Sequence, residues 1–311
     1  MKAEIFVLNY NGRDLLLECL PSILEAAKRS PHPCRVTVID NCSADDSVGV
    51  LRRAFPEAAV LVPERNLVLC SFNEAVKKSD ADVVLLLNND LKVEKDFVAP
   101  LLEVFEKHAD AFLAGPHATT FDGARYEGCL SKMSFTRGIL RTESRFAGYE
   151  AKVRTAGLTM QAGFGAYRRE AFLALGGFDP LYLPGTVEDS DLCFRAWKAG
   201  YSCYYVPASR VYHKGQATFK KHFGAARLLA MNQRNLYLFT WKNISDPRLL
   251  IQHLGWLPVR PLYFLLRGRI EFLWGFLWAM LRLPAAIARR FSAAGPARRT
   301  DREIFGLSEA I

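Results

Sequence analysis

VVLLLNND, residues 83–90, sets the frame for the whole chain. Val83 to Leu87 is an unbroken apolar run behind the turn-like Ser79-Asp80-Ala81-Asp82, and it reads as a strand buried on both faces. The run stops in Asn88-Asn89-Asp90. A buried strand that delivers a carboxylate at its C-terminal end places it where open α/β sheets bind ligands. Two amides and a carboxylate there suit a hard divalent cation, which takes oxygen ligands and bridges phosphates. The competing reading is a polar turn, a place these residues often occupy.

Working outward, Ile5 to Leu8 is a short strand before the turn Asn9-Tyr10-Asn11-Gly12, and residues 13–29 carry a helical stripe of Leu16, Leu20, Ile23, Leu24 and Ala27. Val36 to Ile39 is a second strand, ending in Asp40-Asn41-Cys42-Ser43. A helix over 48–55, a strand over 59–62 and a helix over 72–78 complete the alternation up to the strand at 83. This is the pattern of an α/β fold with a doubly wound, mostly parallel sheet. Asn9, Asp40 and Asp90 then converge on one sheet edge, in a nucleotide-sized site. No G-x-G-x-x-G or G-x-x-x-x-G-K-[ST] is present, so a metal at Asp90 would take over phosphate binding.

Beyond it, 96–107 reads as a helix and Phe112 to Pro116 as a strand and turn, while 117–156 reads as irregular structure over an acceptor site. Thr159 to Tyr167 is strand-like but punctuated by glycine. Glu188-Asp189-Ser190-Asp191 opens a helix that Gly200 closes. Glu188 and Asp189 are either capping carboxylates favoured by the helix dipole or a general base facing the cleft. Asp191 and Arg195 stand at i, i+4 and pair with each other. His213 follows two short strand pieces, 204–207 and 210–212, and is either structural or a metal ligand.

Composition narrows the class. Half of the 311 residues are hydrophobic and 23% are charged, an ordinary globular balance. Seven scattered cysteines without a CxxC pair read as free thiols in a reducing compartment, and the N-terminus carries no signal-peptide pattern. Of the net charge of +9, residues 241–311 hold +6, from eleven Lys/Arg against five Asp/Glu. The longest clean apolar run there, Phe272 to Leu281, is ten residues, too short for a bilayer span. Trp256, Trp274 and Trp278 with flanking arginines suit a helix lying in an anionic membrane interface; packing on the domain or a homo-oligomer contact is the alternative. Nothing resembles a nucleic-acid recognition module.

Taken in order, FVLNYNG (6–12), VIDNCSADDS (38–47), VVLLLNND (83–90), GGFDP (176–180), EDSDLCFRAWKAGY (188–201) and VYHKG (211–215) resemble family 2 glycosyltransferases of the GT-A (nucleotide-diphospho-sugar transferase) fold, most closely rhamnosyltransferase-like bacterial members. The resemblance implies a GT-A domain over 1–240 and a helical, basic and apolar extension over 241–311. It implies that Leu8, Asn9, Tyr10, Asp40, Asn88 and Asn89 line the nucleotide pocket, with Asp40 on the base. It implies that Asp90 and His213 hold Mg²⁺ or Mn²⁺, and that Asp189, supported by Glu188, is the base of a single inverting displacement. The implied partners are a UDP- or dTDP-sugar, a glycan or lipid-linked glycan acceptor and the cytoplasmic membrane face. One stretch departs from the family: after Asn66, where a Gly-Phe is usual, the chain reads Leu67-Val68-Leu69. A nucleotidyltransferase lacks its basic glycine-rich loop here, and an inactive glycan-binding or membrane-assembly scaffold is the alternative from another class.

Overall fold

The computed structural model describes residues 1–215, 223–292 and 297–311. The N-terminal strands are β1 (Ala3–Asn9), β2 (Cys34–Asp40), β3 (Ala59–Leu61) and β4 (Val83–Asn88), joined through α1 (Arg13–Lys28), α2 (Ser47–Ala54) and α3 (Ser71–Lys78). They pair in the order β3-β2-β1-β4, all parallel, as the apolar runs require. Val83 to Leu87 are each no more than 2% exposed, the signature of a strand covered on both faces. Helix α1 buries the predicted stripe.

The sheet then turns mixed. β11 (Gly165–Arg168) inserts antiparallel between β4 and β6 (Ala111–Thr120), and β12 (Ser202–His213) runs parallel to β6. Short β5 (Leu91–Val93) and β10 (Gly157–Leu158) pair antiparallel with β12, and β7 (Tyr126–Gly128) with β6. β8 (Lys132–Thr136) and β9 (Ile139–Glu143) form a separate hairpin. Helices α4 (Val98–Lys107), α5 (Tyr149–Lys152), α6 (Arg169–Ala174) and α7 (Glu188–Lys198) complete this half.

Three expectations change. Residues 117–156 are not irregular: β6 runs on to Thr120, and β7, β8 and β9 follow as short strands whose polar outer faces mask the alternation. The two pieces around Pro207 are one strand, β12, which absorbs the proline with a register shift between Val206 and Arg210. The tail is also more regular than its prolines indicate. Helices α8 (Ala225–Asn243), α9 (Pro247–Leu265), α10 (Ile270–Phe291) and α11 (Asp301–Ala310) follow, so residue 240 lies inside α8 and the helical extension starts with that helix.

Helix α10 continues through Arg282 and Pro284, and by length and composition it could cross a membrane. It lies along α8 at a close approach, where a Cβ on Gly275 would stand 2.5 Å from the Ala230 carbonyl oxygen. Its outer side stays bare: Leu281 and Phe291 are each 81% exposed.

Candidate active site

Parallel register sets the C-terminal ends of β1, β2 and β4 side by side, with Asn9 opposite Asp40 and Leu8 opposite Asn88. Asp40 is buried and turned into its own loop: Oδ1 accepts from Asn9 Nδ2 (2.8 Å) and Ser43 Oγ (2.7 Å), and Oδ2 from the Ser43 amide (3.0 Å). A carboxylate has about four acceptor positions, so one remains, on Oδ2. Asn89 donates to Asn9 Oδ1 (2.7 Å), which makes it a latch between strand ends. Gly12 makes room for that latch, since a Cβ there would stand 2.0 Å from Asn89 Nδ2. The Asn88 side chain makes no hydrogen bond among the described residues, and Leu8 and Tyr10, on either side of Asn9 in the chain, are half-buried and exposed.

The departure after Asn66 has a visible consequence. Val68 adopts φ +51°, the left-handed conformation that glycine takes without strain and a β-branched residue rarely does. The Asn41 amide, accepting from Ser71 Oγ (2.7 Å) and donating to Asn66 Oδ1 (2.8 Å), holds this loop in place.

At the end of β4, antiparallel pairing of β5 with β12 sets His213 opposite Leu91 and brings its ring to Asp90, Nε2 to Oδ2 3.4 Å. His213 Nδ1 lies 2.9 Å from Glu127 Oε2, presented by β7 through the β12-β6-β7 ladder. Burial lowers the His213 pKa, but Asp90 and then Glu127 outweigh it and the net direction is up. Among the described residues, Asp90 Oδ1 is buried without a partner. An orphaned carboxylate oxygen beside an imidazole whose far nitrogen is held by a second carboxylate fits a divalent cation. No cluster of three or more His, Cys, Asp or Glu closes a metal cage among the described residues, so water and substrate oxygens would fill the remaining positions, as is usual for Mg²⁺.

Glu188 and Asp189 open α7 directly after Thr186 and Val187, both in left-handed conformation (φ +73° and +71°). Glu188 is buried with Oε2 unpartnered, and burial followed by the neighbouring Asp189 charge pushes it up to about 8. Burial also raises Asp189, whose Oδ1 accepts from the Ser190 amide. Among the described residues, the titratable groups facing this pair are Cys70, Cys129, Tyr167 and Asp191, none of them a cation. The pair is thus held ready to take up a proton. Gly163 passes beside Asp189, a Cβ there being 3.6 Å from Oδ2, and the ring of the next residue, Phe164, is centred 5.8 Å from His213. One dipeptide therefore connects the base candidate to the metal candidate.

Asp191 serves structure. It is fully buried and accepts from Tyr182 Oη, Arg195 Nε, Lys242 Nζ and Asn243 Nδ2 at 2.7–2.8 Å. Burial would raise its pKa, but Arg195 and then Lys242 hold it well below the usual carboxylate range. Lys242 also meets Asp179 of the GGFDP turn (2.8 Å), and Arg289 of α10 meets the same carboxylate at 3.0 Å. The sequence reading missed Glu127, Asn235, Lys242 and Asn243. The available signal was a polar Asn-Gln-Arg-Asn run, 232–235, between the apolar stretches 228–231 and 236–239.

A model described as glycosyl transferase family 2 matches residues 4–176, which include β1 to β4, Asp40 and Asp90. The chain belongs to glycosyl transferase family 2. This family 2 glycosyltransferase is 26% identical over 295 residues to the N-acetylglucosaminyl-diphospho-decaprenol L-rhamnosyltransferase of Mycobacterium tuberculosis, covering 86% of this chain and 89% of the relative. It is 24% identical over 205 residues to the O-antigen chain rhamnosyltransferase WbaN of Salmonella anatum, covering 63% and 61%. Among solved structures, the fold is similar to GalNAc-T7 with UDP, GalNAc and Mn²⁺ (TM-score 0.57, 18% identity, 78% of this chain and 48% of that one). It is also similar to the mannosyltransferase PcManGT of Pyrobaculum calidifontis with GDP-Man and Mn²⁺ (TM-score 0.53, 15% identity, 93% and 87%). The GT-A fold is thus shared at low identity.

Proposed function

We propose that this glycosyltransferase moves a sugar, with inversion, from a UDP- or dTDP-sugar to a hydroxyl of a cell-envelope glycan or lipid-linked acceptor, and that it requires a divalent metal. The observation that carries the reading is the Gly163-Phe164 bridge between the Glu188-Asp189 pair, which faces no cation among the described residues, and the Asp90 oxygen left without a partner among them. Asp90 and His213 would hold Mg²⁺ or Mn²⁺, which when bound neutralises the leaving diphosphate as a Lewis acid. Asp189 takes the acceptor hydroxyl proton while that oxygen attacks the anomeric carbon from the face opposite the diphosphate. The C–O bond to the acceptor forms as the bond to the diphosphate breaks. Asn9, Asp40 and the 8–10 turn receive the nucleoside. The names of the mycobacterial and Salmonella relatives favour rhamnose, hence dTDP-rhamnose, and the former favours a lipid-diphosphate acceptor.

Calorimetry over UDP-, dTDP- and GDP-sugars with and without Mn²⁺ tests this. One uridine or thymidine donor is expected to bind, and to need metal; binding by none of them, or equal binding in chelator, contradicts it. Glu127→Gln is expected to weaken Mn²⁺ by about 10- to 100-fold, because Glu127 orients the His213 ring. Unchanged Mn²⁺ affinity would remove Glu127 from that role.

The same proposal seats the enzyme peripherally on the cytoplasmic membrane face. Ile251, Leu254, Leu262 and Leu266 of the α9 region and Leu277 and Leu281 of α10 are exposed, with Arg267 and Arg269 at the junction of the two helices, the composition of an interfacial helix pair. Leu266→Asp with Leu281→Asp is expected to weaken sedimentation with phosphatidylglycerol vesicles by at least about tenfold, each buried leucine being worth roughly 1.5–3 kcal/mol. Equal sedimentation of parent and variant would contradict membrane seating.

A further inference from the structure

The extension does more than follow the family-matched region. Asn235 of α8 is completely buried, and its Nδ2 lies 2.7 Å from the Gly185 carbonyl oxygen, 2.8 Å from that of Thr186 and 3.0 Å from that of Tyr182. Arg234, also buried, orients this amide by donating Nε to Asn235 Oδ1 (2.8 Å), and its Nη2 reaches the Leu183 carbonyl (2.8 Å). From α10, Arg282 donates to the Leu181 carbonyl (3.0 Å). Three side chains of the extension therefore gather the carbonyls of one loop.

That loop is strained. Thr186 and Val187 both take left-handed φ, and Val187 is β-branched. Such residues persist only where the surroundings over-determine them. They stand immediately before Glu188, so a relaxation to negative φ would swing the carboxylate pair away from Gly163.

We infer that Asn235 is a positioning residue for transfer, clamping the 182–186 carbonyls so that the strained turn holds Asp189 against Gly163. The inference rests on the reading of Asp189 as the base. It makes α8, outside the family-matched segment, part of the working site.

The test is Asn235→Ala in the full chain. Turnover is expected to fall about 100-fold, the scale of a roughly 1 Å misplacement, with the donor dissociation constant little changed because the nucleotide end is built from other strands. The acid limb of the pH–rate profile is expected to move down as Glu188 and Asp189 gain water, since Cys70, Cys129, Tyr167 and Asp191 supply no positive charge to compensate. Val187→Gly, which adopts positive φ freely, is expected to recover part of the turnover in Asn235→Ala; a merely structural asparagine would not be rescued this way.

Independently of any activity, amide exchange over 185–189 is expected to quicken at least about tenfold while the Asn41–Ser71 loop is unchanged. Parental turnover, or parental exchange over 185–189, in folded Asn235→Ala overturns the clamp. Loss of donor binding in parallel with turnover does so as well. Asp189→Asn run alongside separates the two failures: full turnover there rejects the base, whereas full turnover in Asn235→Ala alone rejects only the clamp. Should the alanine variant not fold, Asn235→Ser, which keeps one donor, is held to the same outcomes with a smaller fall.

Discussion

Asp189→Asn is expected to lower turnover by about 10²- to 10⁴-fold, the usual contribution of a positioned general base. Donor affinity should stay within about threefold, because a group that acts on the acceptor proton contributes to the transition state and not to donor binding. The change is nearly isosteric and leaves the Ser190 amide an oxygen to bond, so the fold is not at issue. The pH dependence has a definite sign. Burial raises the Asp189 pKa, and turnover needs its ionised form, so the rate falls as pH drops through that raised value. Glu188 is pushed up to about 8, and removing its proton puts a second charge beside the first. Glu188 thus stays neutral while Asp189 ionises, so Glu188→Gln should leave the acid limb in place and remove any second titration step near pH 8. An Asp189→Asn enzyme with near-parental kcat would place the base elsewhere.

What could be read from the sequence was what one short segment specifies by itself. Five apolar residues at 83–87 bounded by turn residues read as a strand covered on both faces, and the alternation with amphipathic α1 and α3 argues for parallel neighbours. From there Asn9, Asp40 and Asp90 fall on one edge by register alone. The antiparallel half was less legible because its strands are short and half-exposed, and because Pro207 hides the continuity of β12. In the tail, Arg282 ends the clean apolar run at Leu281, yet it sits inside α10 and donates to the Leu181 carbonyl.

The site divides in the same way. Pairing Asp90 with His213 is what the family resemblance implies, whereas Glu127 reaches His213 across 86 positions and Asn235 reaches the 182–186 loop across about 50, with no local pattern to announce either. Asn89 adds a contact that the sequence does not announce: its hydrogen bond to Asn9 ties two strand ends, and the missing Cβ of Gly12 leaves room for it. The glycine absent after Asn66 was legible as a departure, but the backbone there was not: Val68 takes a left-handed conformation that its β-branched side chain disfavours.

Asp191→Ala is expected to cost about 3–5 kcal/mol, the range for removing one partner of a buried ion pair, and to lower Tm by roughly 6–15 °C. The cost comes mostly from what is left behind. Lys242 is only 5% exposed and would keep Asp179 alone, while the Arg195 guanidinium would keep only the Leu175 and Gly177 carbonyls. Removing both Asp191 and Lys242, as Asp191→Asn with Lys242→Met, should therefore cost less than the two single changes combined. The sign with pH follows from the lowered pKa. Asp191 ionises more readily in the fold than at the ordinary aspartate value of 3.8, so its stabilisation is complete above that value and is lost as pH falls below it toward the folded pKa. Parent and Asp191→Ala should accordingly differ most in Tm from neutral pH down to about 5, and converge in stronger acid. Thermal melts of the two from pH 7 to pH 3 measure this; a gap that stays constant across the range would assign the loss to packing and not to the Asp191 charge.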